Sequence, residues 1–165
     1  MAADNRFLLP SEEAVLAFGR LLAFRLSSRK TFPAVLFLGP MGSGKTTMIR
    51  GMAAALPGGD QAEVSSPSFN IMNVYPTRPE TVHFDLYRLE GNLLDPESQE
   101  MLLDDSRLVL VEWSEYLPED LVFSDVVYIQ MDIEDNGRMV TLCAAGEFAA
   151  RLDEMCRFLH ENLLL

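Results

Sequence analysis

A glycine-rich segment that ends in Lys45 and Thr46 carries the strongest chemical signal of the 165-residue chain. Together with Gly39 and Gly44, these residues match the pattern G-x-x-x-x-G-K-[ST] of a phosphate-binding loop. The glycines of such a loop let successive backbone N–H groups point at phosphate oxygens, and the helix that follows adds partial positive charge. The lysine reaches the β- and γ-phosphates, and the threonine hydroxyl contacts Mg²⁺. The segment therefore predicts that the chain binds a nucleoside triphosphate.

The sequence on either side of this loop suits the motif. Residues 35–38 form a continuously apolar run, as in a buried parallel strand, and residues 48–56 continue as a helix. A chance glycine-rich turn is the alternative, and the strand–loop–helix order disfavours it. The loop residues expected to contact the nucleotide are Gly39, Met41, Gly42, Ser43, Gly44, Lys45, Thr46 and Thr47.

Two carboxylates are candidates to complete the site. Glu112 follows the apolar run 108–111, which has the character of a Walker B strand with Glu in place of the commoner Asp. Ligands of such sheets lie beyond the carboxyl ends of the parallel strands, so Glu112 is expected to face the loop. Asp85 lies in an otherwise apolar strand, where an unpaired acid is costly. We expect Lys45, Asp85 and Glu112 to be catalytic, and Thr46, Asp85 and Glu112 to surround the metal.

Structural alternatives exist for these residues. Glu112 could be a solvated acid at a strand end, and Asp85 could form a salt bridge to Arg88. His83 shares the strand face of Asp85, because side chains alternate along a strand. We interpret His83 as a hydrogen-bonded structural residue rather than a catalyst.

The elements that position these residues indicate an α/β fold like that of P-loop NTPases, built as one domain over residues 1–165. We predict a mixed, mainly parallel sheet flanked by helices, with antiparallel hairpins at its edges. After a short tail, Ser11 caps a helix that runs to about residue 26. Segments 69–75 and 81–86 form one hairpin, and 126–131 and 139–144 form another around Asn136-Gly137. Segment 94–103 is a weak helix or a loop, and a helix follows from about Gly146.

The composition is 48% hydrophobic and 23% charged, which is ordinary for a soluble globular protein. No apolar run approaches the roughly 18–20 residues that span a bilayer, and the two cysteines provide no disulfide framework. We therefore expect a cytoplasmic protein without a membrane partner. The net charge of −12 disfavours direct binding to nucleic acid, although it could also serve solubility alone.

Four motifs, in this order, resemble a single protein family. They are the loop 39–47, the segment Ser66-Pro67-Ser68-Phe69, the segment His83-Phe84-Asp85-Leu86-Tyr87-Arg88-Leu89, and Val111-Glu112-Trp113. Over about residues 10–142 the chain resembles the bacterial tRNA threonylcarbamoyladenosine biosynthesis ATPases, the TsaE (or YjeE) family. The resemblance implies a cytoplasmic ATPase that uses ATP and Mg²⁺. It would act with a TsaB–TsaD heterodimer and reset it between turnovers, so that its contact with tRNA is only indirect.

The resemblance also implies roles for single residues. Thr46 and Glu112 match Mg²⁺-associated positions, and Asp85 matches an acid needed for hydrolysis. Segment 66–69 matches a loop that behaves like a GTPase switch. Ser11 matches a nucleotide contact, and Trp113 matches an aromatic beside the nucleotide, with plain core packing as its alternative.

The interior of the phosphate loop departs from the family's usual Asp-Leu-Gly-Ala and reads Pro40-Met41-Gly42-Ser43. Pro40 removes one backbone N–H donor from the loop.

Two other enzyme classes and one non-enzyme reading compete with this function. A P-loop small-molecule kinase is the main alternative, but Arg78, Arg88 and Arg107 are dispersed and form no arginine-rich lid segment. A regulatory GTPase would need an Asn-Lys-x-Asp motif, and the sequence contains no Asn-Lys pair. The non-enzyme alternative is a binding module that is controlled by the bound nucleotide and whose slow hydrolysis only limits how long the bound state lasts. This alternative overlaps with the ATPase function, since the family's ATPase serves an assembly cycle. Stimulation of ATP turnover by a TsaB–TsaD pair would discriminate between them.

Overall fold

The computed structural model describes residues 2–67, 70–89 and 92–164, and its strands form one seven-stranded sheet. The spatial order is β1-β7-β6-β2-β5-β4-β3. Strands β6, β2, β5 and β4 run parallel in the centre, whereas β1, β7 and β3 pair antiparallel. This confirms the predicted mixed sheet. The strands are β1 (Arg6–Leu9), β2 (Ala34–Leu38), β3 (Met72–Tyr75), β4 (Thr81–Asp85), β5 (Leu108–Glu112), β6 (Asp125–Glu134) and β7 (Gly137–Gly146).

Helices cover both faces of this sheet. Alternate residues of β2 enter different cores: Val35 and Phe37 pack beneath α1, α2 and α4, while Leu36 packs on the opposite face with Leu102 of α3. Within the described residues, no helix is long and apolar enough to cross a membrane. The helices are α1 (Glu12–Ser27), α2 (Lys45–Ala54), α3 (Pro96–Leu102) and α4 (Leu152–Asn162).

The prediction that the residues before Pro10 form a tail is wrong for the last four of them. Residues Arg6–Leu9 form β1, and its Phe7 and Leu9 side chains are buried. The strand pairs with β7, from Arg6 opposite Thr141 to Leu9 opposite Arg138. A four-residue edge strand whose partner is more than a hundred residues away leaves no local signal.

The other elements lie close to their predicted positions, with three refinements. The segment 94–103 holds a short helix, α3, because Asp95 caps it by accepting the backbone N–H of Ser98 at 2.8 Å. The C-terminal helix starts at Leu152, after a 3₁₀ turn over Glu147–Arg151. The β6–β7 hairpin forms as predicted, and Gly137 already pairs with Glu134 across it.

Helices α1 and α2 approach each other through two glycines. A Cβ on Gly51 would lie 2.3 Å from the carbonyl oxygen of Leu16, and one on Gly19 would lie 2.4 Å from that of Met48. The two backbones are therefore in direct contact. The start of α1, where Ser11 accepts the N–H of Ala14 at 3.1 Å, lies beside Gly44 and Thr47 at the start of α2.

We predict that Gly51→Ala destabilises the protein by about 1 kcal/mol. Alanine favours a helix by about 1 kcal/mol over glycine, but here its methyl group would collide with backbone, and overpacking typically costs about 1–3 kcal/mol. Chemical denaturation would measure the free energy of unfolding, with Arg50→Ala on the exposed side of α2 as the control. A Gly51→Ala protein as stable as the wild type would contradict this account of the helix contact.

Candidate functional site

The loop between β2 and α2 has a backbone that requires glycine. Gly39, Gly42 and Gly44 have φ values of +142°, +79° and +101°, which side-chain-bearing residues rarely adopt. A Cβ on Gly39 would also lie 2.2 Å from the carbonyl oxygen of Met131 in β6. The loop leads directly into α2 at Lys45, and the first N–H groups of any helix lack intrahelical partners. The segment thus has the shape of an anion-binding loop.

Lys45 is folded back onto this loop. Its Nζ donates to the carbonyl oxygens of Gly39 at 2.7 Å and Pro40 at 2.9 Å, and lies 4.3 Å from the ring centroid of Trp113. Burial lowers the pKa of Lys45, while the negative charges of Glu112, Glu115 and Asp85 act in the opposite direction. The ammonium is therefore a partly desolvated cation beside a cluster of acids.

Thr46 and Glu112 meet at the carboxyl ends of β2 and β5. The Thr46 hydroxyl donates to Glu112 Oε1 at 2.7 Å, and the Ser66 hydroxyl lies 2.9 Å from Thr46 Oγ1. Glu112 is only 3% exposed, so the alternative of a solvated strand-end acid is wrong. Because Thr46 directs its proton to Glu112, Ser66 is the donor to Thr46. A hydroxyl and a carboxylate in contact are oxygen donors of the kind that Mg²⁺ prefers.

Asp85 lies opposite Glu112 across the β4–β5 pair, and both line one cavity of about 470 Å³. Its Oδ1 accepts the backbone N–H of Tyr87 at 3.0 Å, and within the described ranges the ion pairs include none between Asp85 and Arg88. Burial raises the pKa of Asp85, the N–H of Tyr87 lowers it, and the charge of Glu112 raises it further. Perturbed titratable groups in a cleft mark a candidate functional site.

His83 lies behind Glu112 and is fully buried. Its Nε2 is 2.9 Å from Glu112 Oε1, and its Nδ1 is 2.8 Å from the hydroxyl of Tyr75. The side chain thus has the hydrogen-bonded character expected from the sequence. Nothing in the sequence pattern indicates that Tyr75 and Glu112 are its partners.

Trp113 both lines the cavity and packs against the core. Its ring centroid lies 4.9 Å from that of Tyr87 and 6.3 Å from that of Tyr116. Among the described residues it is the one non-glycine with positive φ, at +56°. A bulky residue in this region is strained, typically by about 1–3 kcal/mol, and such strain often marks a functional site.

The region around Ser11 forms a second, smaller cavity of about 200 Å³ on the other side of the loop. The structure brings Ser11 beside Gly42, Gly44 and Thr47 there, as the predicted nucleotide contact requires. Ser11 is 31 residues or more from each of them in sequence. Its hydroxyl also caps α1, so it has a structural role as well.

Met41, Ser43 and Arg138 differ in how they contribute to the loop and its cavities. Met41 lines the larger cavity and is 65% exposed, whereas Ser43 is fully buried and is not among the described residues that line either cavity. Arg138 donates to the carbonyl oxygen of Gly42 at 3.1 Å and lines the smaller cavity. Arg138 was not predicted from the sequence, because it reaches the loop from the β6–β7 hairpin.

The residues present suit a magnesium ion bound together with a phosphate-bearing ligand. The described residues contain no group of three or more His, Cys, Asp or Glu side chains that could hold a metal by themselves. Mg²⁺ is commonly held by one or two carboxylates, water and substrate phosphates rather than by an all-protein cage. The Thr46–Glu112 pair at the end of the loop fits that mode.

The segment 66–69, which resembles a switch loop, is described only in part. Ser68 and Phe69 lie outside the described residues.

Comparison with known proteins gives a consistent result. A family model described as "Threonylcarbamoyl adenosine biosynthesis protein TsaE" matches residues 9–140. The tRNA threonylcarbamoyladenosine biosynthesis protein TsaE of Streptomyces coelicolor is 36% identical over 129 residues, or 72% of this chain and 84% of that protein. The protein of the same name from Borreliella burgdorferi is 31% identical over 140 residues, or 80% of this chain and 94% of that protein.

A solved structure shares the fold. The crystal structure of YdiB from Bacillus subtilis superposes with a TM-score of 0.67 at 21% sequence identity. The match covers 98% of this chain and 97% of that one. The two chains therefore have the same arrangement of elements over almost their whole lengths.

We predict that Asp85→Asn raises the thermal midpoint of unfolding at neutral pH. Because burial raises the pKa of Asp85, its charged form is destabilising above the folded-state pKa, and asparagine can still accept the N–H of Tyr87. The advantage of the variant should shrink as the pH falls, since the folded wild type then binds a proton at Asp85. Calorimetry over a pH series would measure it, with exposed Asp120→Asn as the control. An Asp85→Asn protein that melts below the wild type at neutral pH would refute the charge-burial argument.

Proposed function

Because the chain belongs to the TsaE family of threonylcarbamoyl adenosine biosynthesis proteins, we propose that it is the Mg²⁺-dependent ATPase of that pathway. The family is involved in the biosynthesis of tRNA threonylcarbamoyladenosine. One observation carries the proposal of ATPase activity: Thr46 and Glu112 are hydrogen bonded at 2.7 Å at the start of α2, next to the phosphate loop and Lys45.

The phosphate loop and Lys45 would bind the triphosphate. Lys45 now donates to two neutral carbonyl groups, those of Gly39 and Pro40. Phosphate oxygens carry negative charge, so the ammonium would gain a Coulombic attraction that the neutral carbonyl groups do not provide. The side chain can therefore exchange its present partners for a ligand with a gain in energy. The smaller cavity beside Ser11 and Arg138 provides space next to the loop for the nucleoside.

Thr46 and Glu112 would hold Mg²⁺, with Asp85 facing the same space. The bound ion would neutralise charge on the phosphates. Among the described contacts, the Asp85 side chain accepts one hydrogen bond, from the backbone N–H of Tyr87, so its carboxylate remains available to orient a water molecule. Because burial raises its pKa, the Asp85 carboxylate is a stronger base toward that water molecule than an exposed aspartate would be.

We propose that this ATPase works in the cytoplasm with a TsaB–TsaD-type heterodimer and resets it between turnovers. The support is the family membership, together with an apolar rim at the cavity that a protein partner could cover. Met41 and Tyr87 line the cavity and are 65% and 46% exposed. A partner that covers them would exclude water from the site and strengthen its electrostatic interactions.

A small-molecule kinase is the alternative function, and the arrangement of the arginines weighs against it. Kinases of that kind place several arginines around the transferred phosphoryl group. Of the described residues that line the larger cavity, Arg88 is the one arginine. Arg107 is paired instead with Glu80 at 2.9 Å and with Asp104 at 3.5 Å.

We predict that a TsaB–TsaD pair raises ATP turnover well above that of the isolated chain. Lys45→Ala and Thr46→Ala should abolish this turnover, because they remove the phosphate-binding charge and a metal ligand. Glu112→Ala should retain much of the nucleotide affinity and lose about 10²–10⁴ in rate. A coupled ATPase assay would measure the rates, with the exposed Lys30→Ala as the matched lysine control. Near-normal turnover in Lys45→Ala would show that the assigned site is wrong.

We predict that the isolated protein does not bind tRNA tightly at physiological salt. Basic residues in α1 and just after it form ion pairs with acids. Arg20 lies 3.3 Å from Glu13, and Arg29 lies 3.5 Å from Asp125. Arg25 likewise pairs with an acid of α4. Few phosphates would be neutralised, so the release of counterions that drives binding is small. Submicromolar tRNA affinity that falls steeply with salt, in a filter-binding titration, would contradict this prediction.

A further inference from the structure

A chain of four polar side chains runs from β3 to the start of α2. The Tyr75 hydroxyl lies 2.8 Å from His83 Nδ1, His83 Nε2 lies 2.9 Å from Glu112 Oε1, and the same oxygen accepts from Thr46 Oγ1 at 2.7 Å. Tyr75, His83 and Glu112 are all buried. Two members of this hydrogen-bonded chain, Thr46 and Glu112, line the larger cavity, whereas Tyr75 and His83 are not among the described residues that line it. The two inner residues are therefore connected to the cavity through Glu112.

The hydrogen bonds of this chain have a consistent direction. The Glu112 carboxylate accepts, so His83 donates from Nε2, and an Nδ1 without a proton accepts from the Tyr75 hydroxyl. Burial raises the pKa of Tyr75, so the hydroxyl keeps the proton that it donates. A second acceptor of Tyr75, the carbonyl oxygen of Ser65, lies farther away at 3.3 Å.

The two hydrogen bonds to Glu112 end on the same oxygen. His83 approaches Oε1 from β4, and Thr46 approaches it from α2. A carboxylate with a fixed donor behind it has one preferred orientation. Without that donor, the buried oxygen would lose a hydrogen bond, and the side chain would be free to turn away from Thr46.

The same chain contacts the loop that carries Ser66. Tyr75 and Asn73 of β3 both lie 3.3 Å from the carbonyl oxygen of Ser65, and the next residue places its hydroxyl 2.9 Å from Thr46 Oγ1. Strand β3 thus supports Thr46 through Ser66 and Glu112 through His83.

We propose that His83, held by Tyr75, is a positioning residue that fixes Glu112 against Thr46 and thereby sets the Mg²⁺ affinity of the nucleotide-bound site. The inference rests on the proposed function, since it assigns Mg²⁺ to that pair. Hydrogen-bond partners behind a metal ligand orient the ligand, and their loss typically lowers metal affinity or activity by about 10–100-fold.

The test is the Mg²⁺ dependence of ATP affinity, measured by calorimetry in EDTA and over a series of Mg²⁺ concentrations. For His83→Leu we expect the Mg²⁺ concentration that gives half of the maximal increase in ATP affinity to rise by about 10–100-fold. The affinity for ATP in EDTA should be unchanged. His83→Gln should behave like the wild type, because its amide can donate from near the position of Nε2. Tyr75→Phe should shift in the same direction as His83→Leu, but less. The matched controls are His160→Leu and Tyr128→Phe, at exposed positions that are not part of these hydrogen bonds.

The outcomes separate the inference from the proposed function. If Mg²⁺ raises the ATP affinity of the wild type and of a folded His83→Leu protein at the same concentrations, the positioning role is wrong and the proposed function stands. If Mg²⁺ does not raise the ATP affinity of the wild type, both are wrong. If circular dichroism shows that His83→Leu does not fold, Tyr75→Phe decides: a shift supports the inference and wild-type behaviour overturns it. The ¹⁵N shifts of the imidazole give a readout without nucleotide, and a proton on Nδ1 rather than Nε2 of His83 would also overturn it.

Discussion

The hydrogen bond between Thr46 and Glu112 is the interaction on which the rest of the site depends. It joins the first turn of α2 to the end of β5 across 66 residues of sequence. It forms because β2 and β5 are parallel neighbours, which brings the loop after one strand beside the last residue of the other. The Ser114 hydroxyl strengthens this junction by donating to the carbonyl oxygen of Phe37 at 3.1 Å. The close contact of α1 with α2 then holds the loop from the other side.

The same junction concentrates groups that a structure selected for stability alone would avoid. Lys45 and Asp85 are partly desolvated. Burial lowers the pKa of Lys45 and raises that of Asp85, so it favours the neutral form of each side chain. Trp113 has a strained backbone immediately after Glu112. The parallel strands beneath supply the burial that offsets these costs, because β2 and β5 are apolar on both faces. A bound ligand that neutralises these groups would relieve part of the cost.

The sequence is sufficient to predict the features that depend on local patterns. The phosphate loop, the apolar strands on each side of the site and the acids at their ends all have local signals, and family resemblance adds Ser11 and Trp113. Strand β1 and Arg138 were not predicted, because each depends on a partner that only the folded chain supplies. His83 was expected to be hydrogen bonded, yet its link from Tyr75 to Glu112 is created by strand register, which pairs Asn73 with His83 and Asp85 with Glu112. Residues 68 and 69 of the switch-like segment lie outside the described structure.

The most direct test of this account is a crystal structure of the protein with Mg²⁺ and a non-hydrolysable ATP analogue. The account predicts that Lys45 leaves the carbonyl groups of Gly39 and Pro40 for the phosphates. It also predicts that a metal ion contacts Thr46 Oγ1 and lies within reach of Glu112, directly or through one water molecule. An analogue bound away from the phosphate loop, or a metal ion that contacts neither residue, would contradict it.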